Sequence, residues 1–210
     1  MYLVELYNLI EEGENSTTEF KRKFSTPEKI AKEMIAFANT KGGYMLFGVD
    51  DNKALVGVES EKEQMELIKT AATFYCEPEV LHDIEVVLIK GVDVVVVHIP
   101  ESQNKPHYLI TDDEDNMKSY VRLNDKSILA SKETLRILKG QNSTNPLSIN
   151  IGENEKALFK FLNENEKITV KGFKKLVNIS ERRASRTLVN LVRAGTIRHH
   201  YTGKEEYFTL

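Results

Sequence analysis

A helix that halts at a double glycine and delivers a short apolar strand constrains this chain more than any other stretch: Ala36-Phe37-Ala38-Asn39-Thr40-Lys41-Gly42-Gly43-Tyr44-Met45-Leu46-Phe47-Gly48-Val49-Asp50-Asp51. Upstream, Thr26 can cap the helix, Pro27 suits its first position and Glu28 meets the positive end of its dipole. Ile30, Met34, Phe37 and Ala38 recur at three- and four-residue steps, which predicts one apolar stripe against a core. Gly42-Gly43 breaks that period, permits left-handed backbone angles and lets another backbone or a phosphate come close. Tyr44 to Val49 reads as a buried strand ending in two carboxylates. That end is either a candidate site or a solvated turn, Asp50-Asp51-Asn52-Lys53, joining two strands.

Before this stretch, residues 2–12 predict an amphipathic helix ended by Gly13. In residues 14–24, Thr18, Phe20 and Arg22 alternate with Glu19, Lys21 and Lys23, which predicts a strand with one charged face. After it come a partner strand over Leu55 to Val58, a helix over Glu61 to Phe74, and a hairpin of alternating strands, Ile84 to Ile89 and Val92 to Ile99, about Lys90-Gly91. Pro106 to Leu109 leaves a loop, residues 111–116 form an acidic turn, Ser119 to Leu123 is a strand, and a helix over Ser131 to Lys139 closes a first domain. Gly140 to Pro146 has linker composition. The expected division is therefore a domain over 1–139, a linker over 140–150 and a second domain over 151–210, in a mixed α+β protein.

Charge separates the same two parts. Residues 151–210 hold 12 Lys and Arg against 7 Asp and Glu, whereas the first 150 hold 17 against 25. Only the tail has an electrostatic reason to approach a polyphosphate. Its order of helix, short strand at 168–170, helix, turn at Asn178-Ile179-Ser180, helix and hairpin is that of a winged helix-turn-helix. Ser180 caps the third helix and Gly195 stops it. Arg182, Arg183 and Arg186 lie near its start, where arginines meet phosphates or the guanine edge, while Ala184, Leu188, Leu191 and Val192 pack inward. Lys204 sits at the hairpin tip, with His199 or His200 beside it. The alternative is a protein-contact domain whose arginines are solvated or paired with Glu181, Glu205 and Glu206.

Other classes are excluded or set aside. Cys76 is the single cysteine, so neither an internal disulfide nor a multi-cysteine zinc site can form, and it reads as a buried residue at a helix end. No apolar run reaches membrane-span length and no secretory signal opens the chain, so the expected compartment is the cytoplasm. No Gly-Lys-Ser or Gly-Lys-Thr ends a glycine-rich loop, which speaks against a P-loop.

Glu14, four residues, Glu19-Phe20-Lys21, then Ala36 to Gly43, Gly48 to Asp51, Lys105-Pro106-His107-Tyr108 and Tyr120-Val121-Arg122 with Ala130 together resemble the Alba-like (AlbA_2) domain of the Schlafen family, over about residues 10–138. The resemblance implies a nucleic-acid-binding module. Microbial relatives of this kind commonly carry a helix-turn-helix tail and are described as transcriptional regulators, which here implies a DNA-binding homodimer. Animal members include ribonucleases that use three carboxylates and a divalent metal. By that resemblance the alternative is an endoribonuclease in which Glu14, Glu19 and Asp51, with Asp50 in reserve, hold Mg²⁺ or Mn²⁺ against RNA and Lys21 holds the phosphate. Arg122 is expected to pair with an acid of the Glu14 to Glu19 segment or with a phosphate, and His107 and Tyr108 to lie near the same pocket or to be solvated.

Overall fold

The computed structural model describes residues 2–111, 117–141 and 150–210. Most of the expected acidic turn and of the expected linker lie outside the described residues. The chain forms two compact units, Met1–Leu129 and Ala130–Leu210. They comprise seven helices and four small sheets among the described residues.

The first unit is built on a four-stranded sheet of order β1-β2-β5-β4. The strands are β1 (Thr18–Lys21), β2 (Gly43–Phe47), β5 (Val92–Ile99) and β4 (Asp83–Ile89). β1 runs parallel to β2 because α2 (Pro27–Ala38) returns the chain between them, whereas β5 is antiparallel to both neighbours. Helices cover both faces. α2 and α3 (Glu61–Phe74) bury Met34, Phe37 and Ile68 against Met45, Phe47, Val95 and Val97. On the other face, α1 (Leu3–Glu12) packs Leu6 and Ile10 on Phe20, Leu46, Val94 and Val96. Burial from both sides explains why β5 is a near-continuous valine run and not the alternating strand expected. Leu55 to Val58 forms no ladder: Leu55 bridges Val49, the Val56 and Gly57 N–H groups donate to the Gly48 carbonyl, and that of Val58 donates to Asp93 O.

Two short ladders complete the unit. β3 (Cys76–Glu77) pairs with β6 (Tyr108–Leu109), and β7 (Tyr120–Leu123) pairs with β8 (Lys126–Leu129). The double glycine does what its position requires. A Cβ on Gly42, at φ +72°, would lie 2.5 Å from the Ile99 carbonyl oxygen, and one on Gly43 would lie 2.4 Å from that of Thr17. Neither residue can carry a side chain without moving a strand.

The second unit contains α4 (Lys132–Gln141), α5 (Glu153–Glu164), α6 (Val170–Leu176), α7 (Glu181–Arg193) and a hairpin of β9 (Arg198–Tyr201) and β10 (Glu206–Thr209). Leu158, Phe173, Leu188, Leu191 and Phe208 form its core. Ile168 bridges Phe208, so the expected strand at 168–170 is one residue of pairing before Thr169 caps α6. α4 belongs here and does not close the first domain as expected. Ser185 on α7 donates to Glu133 Oε1 at 2.6 Å and accepts from Arg136 NH1, which fastens α4 to α7. The boundary therefore falls before α4, and Gly140 and Gln141 are helical instead of linker. No described helix is long and apolar enough to cross a membrane.

Candidate nucleic-acid interface

In the first unit the sheet gathers a buried charge cluster beneath α2. Glu19 points inward from β1 with only 8 % of its surface exposed, so the acid of the charged face expected here is out of water, while Lys21 is half-buried and Lys23 exposed. Its neutralising partner is Arg122 of β7, whose side chain is fully buried and whose NH1 lies 2.9 Å from Glu19 Oε2 and 3.2 Å from Glu33 Oε2. Arg122 NH2 donates to the Asn15 carbonyl at 2.7 Å, and the guanidinium lies 4.5 Å over the Phe37 ring. The other oxygen of Glu19 accepts from Lys21 Nζ. Glu14 Oε1 accepts from the Phe20 N–H at 2.9 Å. Burial raises the Glu14 pKa, opposed by that hydrogen bond and by Lys21, and assisted by the charges of Glu19 and Asp51. Asp50 and Asp51 form the solvated turn: Lys53 N–H donates to the Asp50 carbonyl at 2.7 Å, Asp50 pairs with Arg22 at 2.9 Å, and Asp51 is exposed.

Beside this cluster, Asn39 ties three segments together. Its amide donates to His107 O, Ser119 Oγ and Tyr120 O, and its oxygen accepts from His107 N–H at 2.8 Å. His107 is buried. Its Nδ1 donates to the Pro78 carbonyl and its Nε2 accepts from Ser102 Oγ, both at 2.7 Å, while burial holds its pKa below the ordinary value. Neither side chain is available to a ligand.

In the second unit the charge is exposed. Ser180 Oγ caps α7 by accepting from Arg183 N–H, and Ala184, Leu188 and Leu191 turn inward at helical spacing. Arg182, Arg183 and Arg186 consequently stand exposed on the first two turns, without an ion pair among the described residues. The acids that might have quenched them are engaged elsewhere: Glu181 with Lys174 at 3.5 Å, Glu205 with Lys167 at 2.7 Å and Glu206 with His199 at 2.7 Å. Lys204 is exposed at the hairpin tip, between Gly203 and Glu205. His199 is spent on Glu206, and His200 stacks on Tyr207 and bonds Thr209 Oγ1 at 3.0 Å, so the two histidines do not converge on a metal.

A protein-family model, Schlafen AlbA_2, matches residues 14–131, more than half of the chain, and ends within two residues of the boundary between the units. The chain belongs to the Schlafen AlbA_2 family. Among solved structures, it is similar to the N-terminal domain of a RecG-related protein from Nitrosomonas europaea, with 23% identity, 55% of this chain and 85% of that chain covered, and a TM-score of 0.44. It is also similar to the DIP2311 protein from Corynebacterium diphtheriae, with 14% identity, 69% and 34% coverage, and a TM-score of 0.49.

The metal that the Schlafen resemblance implies can be tested against this AlbA_2 unit. Both oxygens of Glu19 are held by cations, one oxygen of Glu14 by a backbone N–H, and Asp51 lies on an exposed turn. Among the described residues, no group of three His, Cys, Asp or Glu side chains is placed to hold a metal. As arranged, Glu14, Glu19 and Asp51 do not fit a divalent cation, and Lys21 pairs with Glu19. The sequence reading missed Glu33, the second acid on Arg122, and Asn39. The helical spacing of Glu33 on α2 carried no sign that a strand about 90 residues later would meet it.

Proposed function

We propose that this AlbA_2 protein is a duplex-DNA-binding regulator. In this reading α5, α6 and α7 with the β9–β10 hairpin form a winged helix-turn-helix, α7 enters the major groove, and the hairpin is the wing. The observation that supports it best is the set of exposed arginines on the first two turns of α7, without an ion pair among the described residues, while Glu181 and Glu205 each hold a lysine and Glu206 holds His199. Arg182, Arg183 and Arg186 would meet phosphates or guanine edges and Lys204 a flanking phosphate. A homodimer would supply two such faces to one duplex. The acidic AlbA_2 unit would serve assembly or sensing and would not turn over a substrate. Ribonuclease chemistry through Glu14, Glu19 and Asp51 is the weaker reading, because Glu19 is neutralised by Arg122 and Lys21.

The test is a salt titration of binding to a mixed-sequence duplex. Four phosphate contacts per protomer give a slope of log K against log salt near about −3.6, and Arg182→Ala with Arg186→Ala should bring it to about −1.8. Between 50 and 200 mM salt this corresponds to a loss of about 150-fold in the parent and about 12-fold in the double variant. An unchanged slope and affinity in the variant would remove the proposal.

A further inference from the structure

The basic surface of α7 continues into a concave groove against α4. Five cations line it, Arg136 and Lys139 from α4 and Arg182, Arg186 and Arg193 from α7, around a volume of about 450 Å³. Among the described residues, no carboxylate lines it. Glu133, the acid of α4, does not line it; it accepts from Ser185 at 2.6 Å and pairs with Arg136 at 3.5 Å.

Two of the cations are held in place before any ligand arrives. Arg193 NH2 donates to the Gly140 carbonyl at 2.9 Å, and Arg136 NH1 donates to Ser185 Oγ. Gly140 is what lets Arg193 lie there, since a Cβ at that position would fall 2.0 Å from Arg193 Nε. A fixed guanidinium fork loses little entropy when it takes two oxygens of a phosphate. Like charges gathered in a concavity repel one another, and a multivalent anion relieves that repulsion. The volume lies in the range of small-ligand sites, roughly 300–1,000 Å³, and exceeds what one phosphate fills. Val189 and Asn190 add an apolar patch and an amide for the rest of a ligand.

We propose that the α4–α7 groove is a phosphate-chain site, taking two or more linked phosphate groups of either a free nucleotide or a duplex backbone. The proposal rests in part on the DNA-binding reading, because Arg182 and Arg186 serve both. A free phosphate chain seated here withdraws these two arginines from DNA, so it acts as a releasing effector.

The experiment uses the full chain, sodium tripolyphosphate as probe and sulfate at matched ionic strength as control, with binding measured by calorimetry. The parent should bind tripolyphosphate at least about tenfold more tightly than sulfate, a factor that one lost charged hydrogen bond is large enough to erase. Arg136→Gln with Arg193→Gln should lose that preference. Gly140→Ala, which removes no charge but displaces Arg193, should weaken binding in the same direction and decides the matter if the double variant does not fold. Duplex affinity in these variants separates the sources: retained affinity with displacement of duplex by tripolyphosphate in the parent identifies a free ligand, and a parallel loss of duplex affinity identifies the backbone. No preference over sulfate in the parent, or an undiminished preference in both variants, overturns the site. Failure of the DNA reading is distinct, because there Arg182→Ala with Arg186→Ala leaves duplex binding unchanged whatever tripolyphosphate does.

Discussion

Replacing Arg122 with methionine keeps an unbranched side chain over Phe37 but removes the buried cation that Glu19 and Glu33 share. What remains is Lys21 on one oxygen of Glu19 and Ser127 Oγ on Glu33, together with an Asn15 carbonyl that has lost its donor at 2.7 Å. Breaking a buried ion pair from one side costs about 3–5 kcal/mol, because the surviving charge stays desolvated. For a unit of this size each kcal/mol moves the melting temperature by about 3–4 °C, so Arg122→Met should lower it by roughly 10–20 °C. The single cysteine provides an assay specific to the AlbA_2 unit. Cys76 is buried there and its thiol is pushed up to about 12, so labelling by a thiol reagent at neutral pH reports opening of this unit alone. Glu19→Gln with Glu33→Gln and Arg122→Met should recover at least half the loss, since no charge is then stranded. If Arg122→Met opens within about 3 °C of the parent, the network contributes little and the account of β1 and β7 is wrong.

Two further outcomes follow from single sites. Gly43→Ala should destabilise the AlbA_2 unit by about 2–4 kcal/mol, since its Cβ would meet the Thr17 carbonyl and the Phe37 ring, whereas Gly91→Ala, at φ +81° with open space around it, should cost about 1 kcal/mol; equal midpoints of cysteine labelling would contradict this. In the other unit, burial pushes the Glu206 pKa up, but hydrogen bonds from His199 and Ser131 outweigh it and hold the carboxyl below its ordinary value. A depressed carboxyl stabilises above its unfolded pKa and loses that contribution as pH falls through the folded value. The difference in stability between parent and Glu206→Gln should therefore be about 1 kcal/mol at pH 7 and shrink below about pH 4.5, read from urea unfolding at each pH; a difference that keeps growing below that pH would refute it.

Local chemistry was readable without coordinates wherever the signal lies within a helical turn or a tight loop. Thr26 and Ser180 cap the helices assigned to them, Gly42-Gly43 turns the chain from the end of α2 into β2, Lys90-Gly91 turns the β4–β5 hairpin, and the inward set Ala184, Leu188 and Leu191 leaves three arginines outside. Such features depend on backbone angles and on neighbours three or four residues away, and these travel with the sequence. The long-range matters were decided only by tertiary structure. Arg122 meets Glu19 across 103 positions, and Ser185 joins α4 to α7 across 49 and 52. The acid of the strand that reads as having one charged face is thereby buried with its countercharge, and the helix expected to close one unit instead walls the cationic groove of the other. An amphipathic stripe records that a face must be covered. Which surface covers it is settled by the competition among all apolar faces and buried charges at once, and no local window contains that competition.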